Sequence, residues 1–143
     1  MNPEQLFSAA NAAVLPAWIL LIAFPRWPWT HRLVPAAFAL PLALVYLWLL
    51  VTNAGGEGGF ASLGAVSTLF RNPWVLLGGW IHYLAFDLFV GAWEVRDAQR
   101  LGLPHISVIP CLLLTFMLGP IGLLVYWILR SSLRKRLTFE ESL

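Results

Sequence analysis

Apolar residues fill four long runs along this chain, at residues 5–24, 30–51, 74–95 and 106–129, and polar residues gather in the short segments between them. As α-helices, runs of about twenty apolar residues match the thickness of a bilayer's hydrocarbon core. The pattern therefore predicts an all-α integral membrane protein with four transmembrane helices. A shorter stretch, residues 61–70, cannot span; its Leu63, Val66, Leu69 and Phe70 recur at helical spacing. That predicts a short interfacial or re-entrant helix, stopped by Arg71-Asn72-Pro73. Residues 1–130 then make one transmembrane domain and residues 131–143 a polar tail in water.

Helix signals agree with these boundaries. Asn2-Pro3-Glu4 supplies a cap, a proline for the first turn and an early acid. Pro25 and Pro28 end the first run beside Trp27 and Trp29, which suit the headgroup layer. Thr30 is placed to cap the second run, and Pro41 should kink it. The glycine-rich residues 52–60 read as a flexible connection, since no phosphate-binding spacing is present. Pro110 falls in the first turn of the fourth run, and Pro120 falls mid-span, where it deprives the Phe116 carbonyl of its usual donor.

Composition strengthens the membrane reading: of 143 residues, 59% are hydrophobic and 11% charged. Soluble domains carry about 25% charged residues. The net charge of +2 comes from basic residues at segment ends, which fits membrane anchoring and not nucleic-acid binding. The single cysteine, Cys111, excludes an intrachain disulfide and any multi-cysteine metal site. The N-terminal segment lacks the basic start of a secretory signal and the composition of a transit peptide, so the first run reads as a retained helix. Four spans would put both termini on one side with Arg71, Arg130, Arg134, Lys135 and Arg136, against Arg26, Arg32, Arg96 and Arg100 on the other. That narrow excess, with the dense cluster ending in Arg134-Lys135-Arg136, favours cytoplasmic termini.

The candidate chemistry lies in the third run. Asp87 sits at its centre, where a carboxylate costs about 2.5–3.5 kcal/mol on insertion scales and so has a function or a partner. At about 100° per residue, Tyr83, Asp87, Gly91 and Glu94 share one face, with the two carboxyls about 10 Å apart along the axis. Trp80 lies one turn above Tyr83. His82 lies about 140° around from Asp87, so it meets Asp87 only if both border one pocket between helices. A neutral Asp87 carboxyl can donate a proton to an oxygen on a lipid-soluble substrate, and its conjugate base can later take one back. Each of these residues also has a plainer reading. Asp87 could pair with His31, His82 or an arginine; Glu94 could be solvated or paired with Arg96 or Arg100; Asp97 and His105 could be ordinary interfacial residues. Spacing gives no helical metal site, and Ser and Cys lack a base at a telling distance.

The segments Trp80-Ile81-His82-Tyr83-Leu84-Ala85-Phe86-Asp87-Leu88-Phe89-Val90-Gly91, then Pro104-His105, then Pro110-Cys111-Leu112-Leu113-Leu114-Thr115 and Gly119-Pro120-Ile121-Gly122 occur in order. In these the chain resembles the abscisic-acid-deficient-4-like family, whose plant members are chloroplast membrane proteins required to make neoxanthin from violaxanthin. The resemblance is strongest over residues 71–130. It implies an isomerisation in which an epoxide opens to an alcohol and a neighbouring proton leaves, with no cofactor in net terms. On residue chemistry, Asp87 is the acid and His82 the base, with Glu94 in reserve as a third catalytic candidate; Tyr83, Trp80, His105 and Asp97 are candidates for contact with the substrate. The expected partners are membrane lipid and a hydrophobic, carotenoid-like small molecule, with no nucleic acid, no metal and self-association left open. The short chain resembles a bacterial-type member in a plasma membrane. A non-catalytic protein that binds a pigment or lipid, or assists assembly of a membrane complex, is the competing reading; a small proton-coupled transporter is a third.

Overall fold

A computed structural model describes residues 1–134 of the chain, and the described residues contain helices and no strand. Helix α1, Pro3–Ala23, starts with a reciprocal cap: the Asn2 side chain accepts from the Gln5 N–H, and the Gln5 side chain accepts from the Asn2 N–H. It ends before Pro25. Thr30 opens the second span, Thr30–Thr52, but its hydroxyl points back to donate to the Phe24 carbonyl at 2.7 Å and does not cap its own helix. This span consists of α2 (Thr30–Leu33), a π-helical segment (Val34–Ala39) and α3 (Leu40–Thr52). The π segment is how the chain absorbs Pro41. The proline offers no N–H, and just before it the Leu40 N–H bonds the Pro35 carbonyl, five residues back.

Residues 61–70 contribute a two-turn helix, α4 (Leu63–Leu69), capped by the Ser62 hydroxyl and with no buried residue. Helix α5, Pro73–Arg100, is the longest, and it packs against α1, the second span and α6. It continues past residue 95, where the polar turn was expected, because its last polar residues are bonded inward. Gln99 donates to the Pro25 carbonyl at 2.6 Å and meets His31 at 3.1 Å, and Asp97 is buried.

The fourth expected span is absent. Among the described residues, three helices are long and apolar enough to cross a membrane: Pro3–Ala23, Thr30–Thr52 and Pro73–Arg100. Residues 106–129 divide instead into α6 (His105–Leu118) and α7 (Pro120–Arg134), which fold against each other as a hairpin. Thr115 of α6 meets Glu94, Gly119 at the tip meets Asp87, and Tyr126 and Arg130 of α7 meet Asp97. Contact therefore runs down α5 along α6 and back up it along α7. The reason is local. Gly119 takes φ +52°, a left-handed conformation open to glycine, and Pro120 begins a new helix, where its missing N–H costs nothing. Gly122 lets the two arms touch, since a Cβ there would overlap the Thr115 backbone.

This correction changes the topology. Three spans and a returning hairpin put α7's end opposite the start of α1. The end of the bundle holding the α1–α2 turn, the end of α5 and both hairpin ends carries Arg26, Arg32, Arg96, Arg100, Arg130 and Arg134; the opposite end has Arg71. The expected polar tail also shortens: residues 131–134 are the last of α7, and 135–143, with the Lys135-Arg136 part of the basic cluster, lie outside the described residues.

Applied to this arrangement, the positive-inside rule predicts a cytoplasmic arginine-rich end and an N-terminus on the other side, in place of the cytoplasmic N-terminus expected from four spans. In a Cys111→Ser background, Glu57→Cys should react with a membrane-impermeant thiol reagent on intact cells, and Pro28→Cys only after permeabilisation. The reverse pattern would invert the orientation.

Candidate functional site

One face of α5 carries three buried acidic residues, and the structure treats each differently. Nearest the arginine-rich end, Asp97 accepts from the Arg130 Nε at 2.8 Å, from Arg130 Nη2 at 3.4 Å and from the Tyr126 hydroxyl at 2.7 Å. Arg130 is 3% exposed, and its guanidinium also lies over the Trp127 ring. Arg130 therefore does not belong to a solvated tail, and Asp97 is committed to holding α7 against α5. Sequence reasoning missed Arg130 and Tyr126. Their i, i+4 spacing was the available signal, but it points at Asp97 only once α7 is known to turn back.

One turn deeper, Glu94 is fully buried, which removes the solvated reading. Its Oε1 accepts from the Thr115 hydroxyl at 3.0 Å, while Oε2 has no partner among the described residues. Between Glu94 and Asp87 lies Gly91. A Cβ there would come within 2.7 Å of the Trp18 ring, so the missing side chain is the space Trp18 fills. Trp18 packs in turn on Phe116, ring centres 5.2 Å apart. This aromatic pair lies between the two carboxyls.

Asp87 is deepest and least committed. The residue is 8% exposed, and its Oδ2 makes no hydrogen bond among the described residues. The hairpin tip rests on it: a Cβ on Gly119 would stand 2.9 Å from Oδ1, 3.4 Å from Oδ2 and 3.2 Å from the Tyr83 ring. Tyr83, one turn earlier, has its hydroxyl placed to interact with the same carboxyl. Helix α7 starts here, so the positive end of its dipole falls beside Asp87 and favours negative charge there. Tyr83 also lines an apolar groove of about 520 Å³ with Pro3, Glu4, Phe7, Phe70 and Trp80. Trp80 is fixed in that wall by its indole N–H, which donates to Asn11 at 3.1 Å, and by Phe7 and Tyr83, each 5.3 Å away.

The structure does not bring His82 to this site. His82 is exposed on another face of α5, stacked on Phe86 at 4.4 Å and beside Tyr46 at 5.3 Å. The expected shared pocket with Asp87 is absent because about 140° of helix separates the two side chains and no second element bridges them. His105 is also elsewhere: its Nε2 lies 2.9 Å from the Ile22 carbonyl, in the last turn of α1. There it serves a carbonyl that the helix end leaves unpaired. Among the described residues no three His, Cys, Asp or Glu side chains converge as a metal site would require.

Residues 5–126 match a family model named ABA4-like, described as ABA DEFICIENT 4-like. The chain belongs to this family. Comparison with curated proteins and with solved structures gave no match. In this ABA DEFICIENT 4-like protein the matched residues take in all three spans, the whole of α6 and the start of α7, so the hairpin tip on Asp87 lies inside the family region.

Two variants test the hairpin. Arg130→Met strands a buried carboxylate and should cost about 3–5 kcal/mol of stability, whereas Asp97→Leu combined with Arg130→Met should cost less than that single change. Thermal unfolding in detergent compares them. Gly122→Ala should force the arms apart and lower the yield of folded protein sharply.

Proposed function

We propose that this membrane protein is an intramembrane isomerase that opens an epoxide of a carotenoid or related isoprenoid by acid/base catalysis at Asp87. The observation that carries the reading is the buried Asp87 Oδ2, without a hydrogen-bond partner among the described residues, one turn from Tyr83, which lines a mostly apolar groove. A carboxyl left this way in a bilayer-spanning helix is a group with work to do. The neutral acid gives its proton to the epoxide oxygen as the C–O bond breaks. The carboxylate left behind is supported by the Tyr83 hydroxyl and the start of α7. It then takes a proton from a neighbouring carbon of the polyene, which yields the alcohol and the new double bond and restores the acid. One carboxyl does both transfers, so the cycle needs neither His82 nor a redox cofactor. Glu94, with its own unpaired oxygen, is the other carboxyl on this face.

The same greasy groove supports a second reading, a protein that binds a pigment or lipid without changing it. Asp87→Asn separates the two. In a host that accumulates an epoxy-carotenoid, the parent chain should produce a new isomer by chromatography, and Asp87→Asn should make at least about 100-fold less at equal membrane abundance. Pigment that co-purifies unchanged with both forms would establish the binding protein instead.

A further inference from the structure

A second cavity, of about 540 Å³, lies on another side of α5 under the glycine-rich loop. Its aromatic wall is Tyr46, Phe70, Trp74 and His82, and the bare backbone of Gly78 and Gly79 forms its floor. Phe70 closes it from the Tyr83 groove: a Cβ on Gly79 would come 2.7 Å from the Phe70 ring, and both cavities touch these two residues. The loop above is tied to α4, since the Gly59 N–H donates to the Ala65 carbonyl at 3.2 Å. Gly58, at φ +99°, lies so close to Ala65 and Leu69 that no side chain fits.

The polar groups of this cavity are few and unspent. The His82 imidazole makes no hydrogen bond among the described residues, although it is held by Phe86 and Tyr46. Asn53 uses its amide nitrogen on the Leu49 carbonyl and the Thr52 hydroxyl, which leaves its Oδ1 to accept. No Asp, Glu, Lys or Arg lines the space, so nothing there would pair a phosphate, carboxylate or ammonium group. An aromatic wall with a few convergent polar atoms is the ordinary build of a small-molecule site.

We infer that this cavity is a second binding site, taking an uncharged, ring-bearing apolar molecule with one hydroxyl group, the ring against Tyr46 and Trp74 and the hydroxyl on His82. The site is separate from Asp87 and stands whether or not Asp87 is catalytic. It gives His82 a binding role in place of the base role.

The test is photolabelling of the purified full chain in nanodiscs with a diazirine derivative of menthol, with menthol and the hydroxyl-free menthane as competitors. Label should fall within residues 46–82, and menthol should compete at least tenfold better than menthane. His82→Phe keeps the stack on Phe86 and should erase that preference. Val75→Trp fills the cavity and should abolish labelling, while Asp87→Asn should leave labelling unchanged. Monodisperse elution and unchanged helicity establish that each variant is folded; if Val75→Trp fails this, His82→Phe decides. Equal competition by menthol and menthane would mean that the cavity only accepts acyl chains, and would overturn the proposal. So would label outside residues 46–82, or a preference that survives His82→Phe.

Discussion

A helical hairpin that enters a bilayer and turns back must be held on its returning arm, and here the Asp97 carboxylate holds it through Arg130 and Tyr126. Charges this well buried are favourable only when paired, and the Asp97 carboxylate accepts from both Arg130 and Tyr126. With α7 fixed along α5, the tip at Gly119-Pro120 can stop only where it does, on Asp87 and Tyr83. The depth of the hairpin, the separation of the end of α7 from the start of α1 and the one-sided distribution of arginines among the described residues all follow from that anchor.

Backbone polar groups freed at the tip would be intolerable in lipid, yet they are acceptable where protein buries them. Gly119 lets the tip come close to α5, and Gly122 lets α6 and α7 come close to each other. The same face of α5 then shows a graded use of carboxyls. Asp97 is saturated, Glu94 has one oxygen bonded, and Asp87 keeps one oxygen free. Structural duty decreases with depth along this face. The Trp18–Phe116 pair packs against α5 at Gly91, between the positions of Asp87 and Glu94.

Much of this was legible in the residues. The helical class, the three true spans and the inward face Tyr83–Asp87–Gly91–Glu94 follow from apolar run length and from 3.6-residue periodicity, which are local properties. One matter was misjudged, the unbroken fourth span, and two alternatives left open beside it are not what the structure has: a solvated Glu94 and a pocket shared by His82 and Asp87. The first arose because residues 106–129 carry enough hydropathy for one span, and hydropathy does not register the direction of a helix after a glycine and a proline. Without the hairpin, Arg130 has no buried partner and Glu94 has no Thr115 to cover it.

By itself, then, the sequence determined the solvent of this protein, its helical class and the one helix that carries its buried carboxyls. Burial of apolar length and the angular spacing of side chains set those, and each acts over a few turns. Tertiary structure alone decided which carboxyl is bonded by Arg130 and Tyr126, which end of the bundle gathers positive charge, and that His82 lines a cavity away from Asp87. These depend on contacts between residues far apart in the chain, and they were fixed when the backbone reversed at Gly119 and brought Arg130 to Asp97.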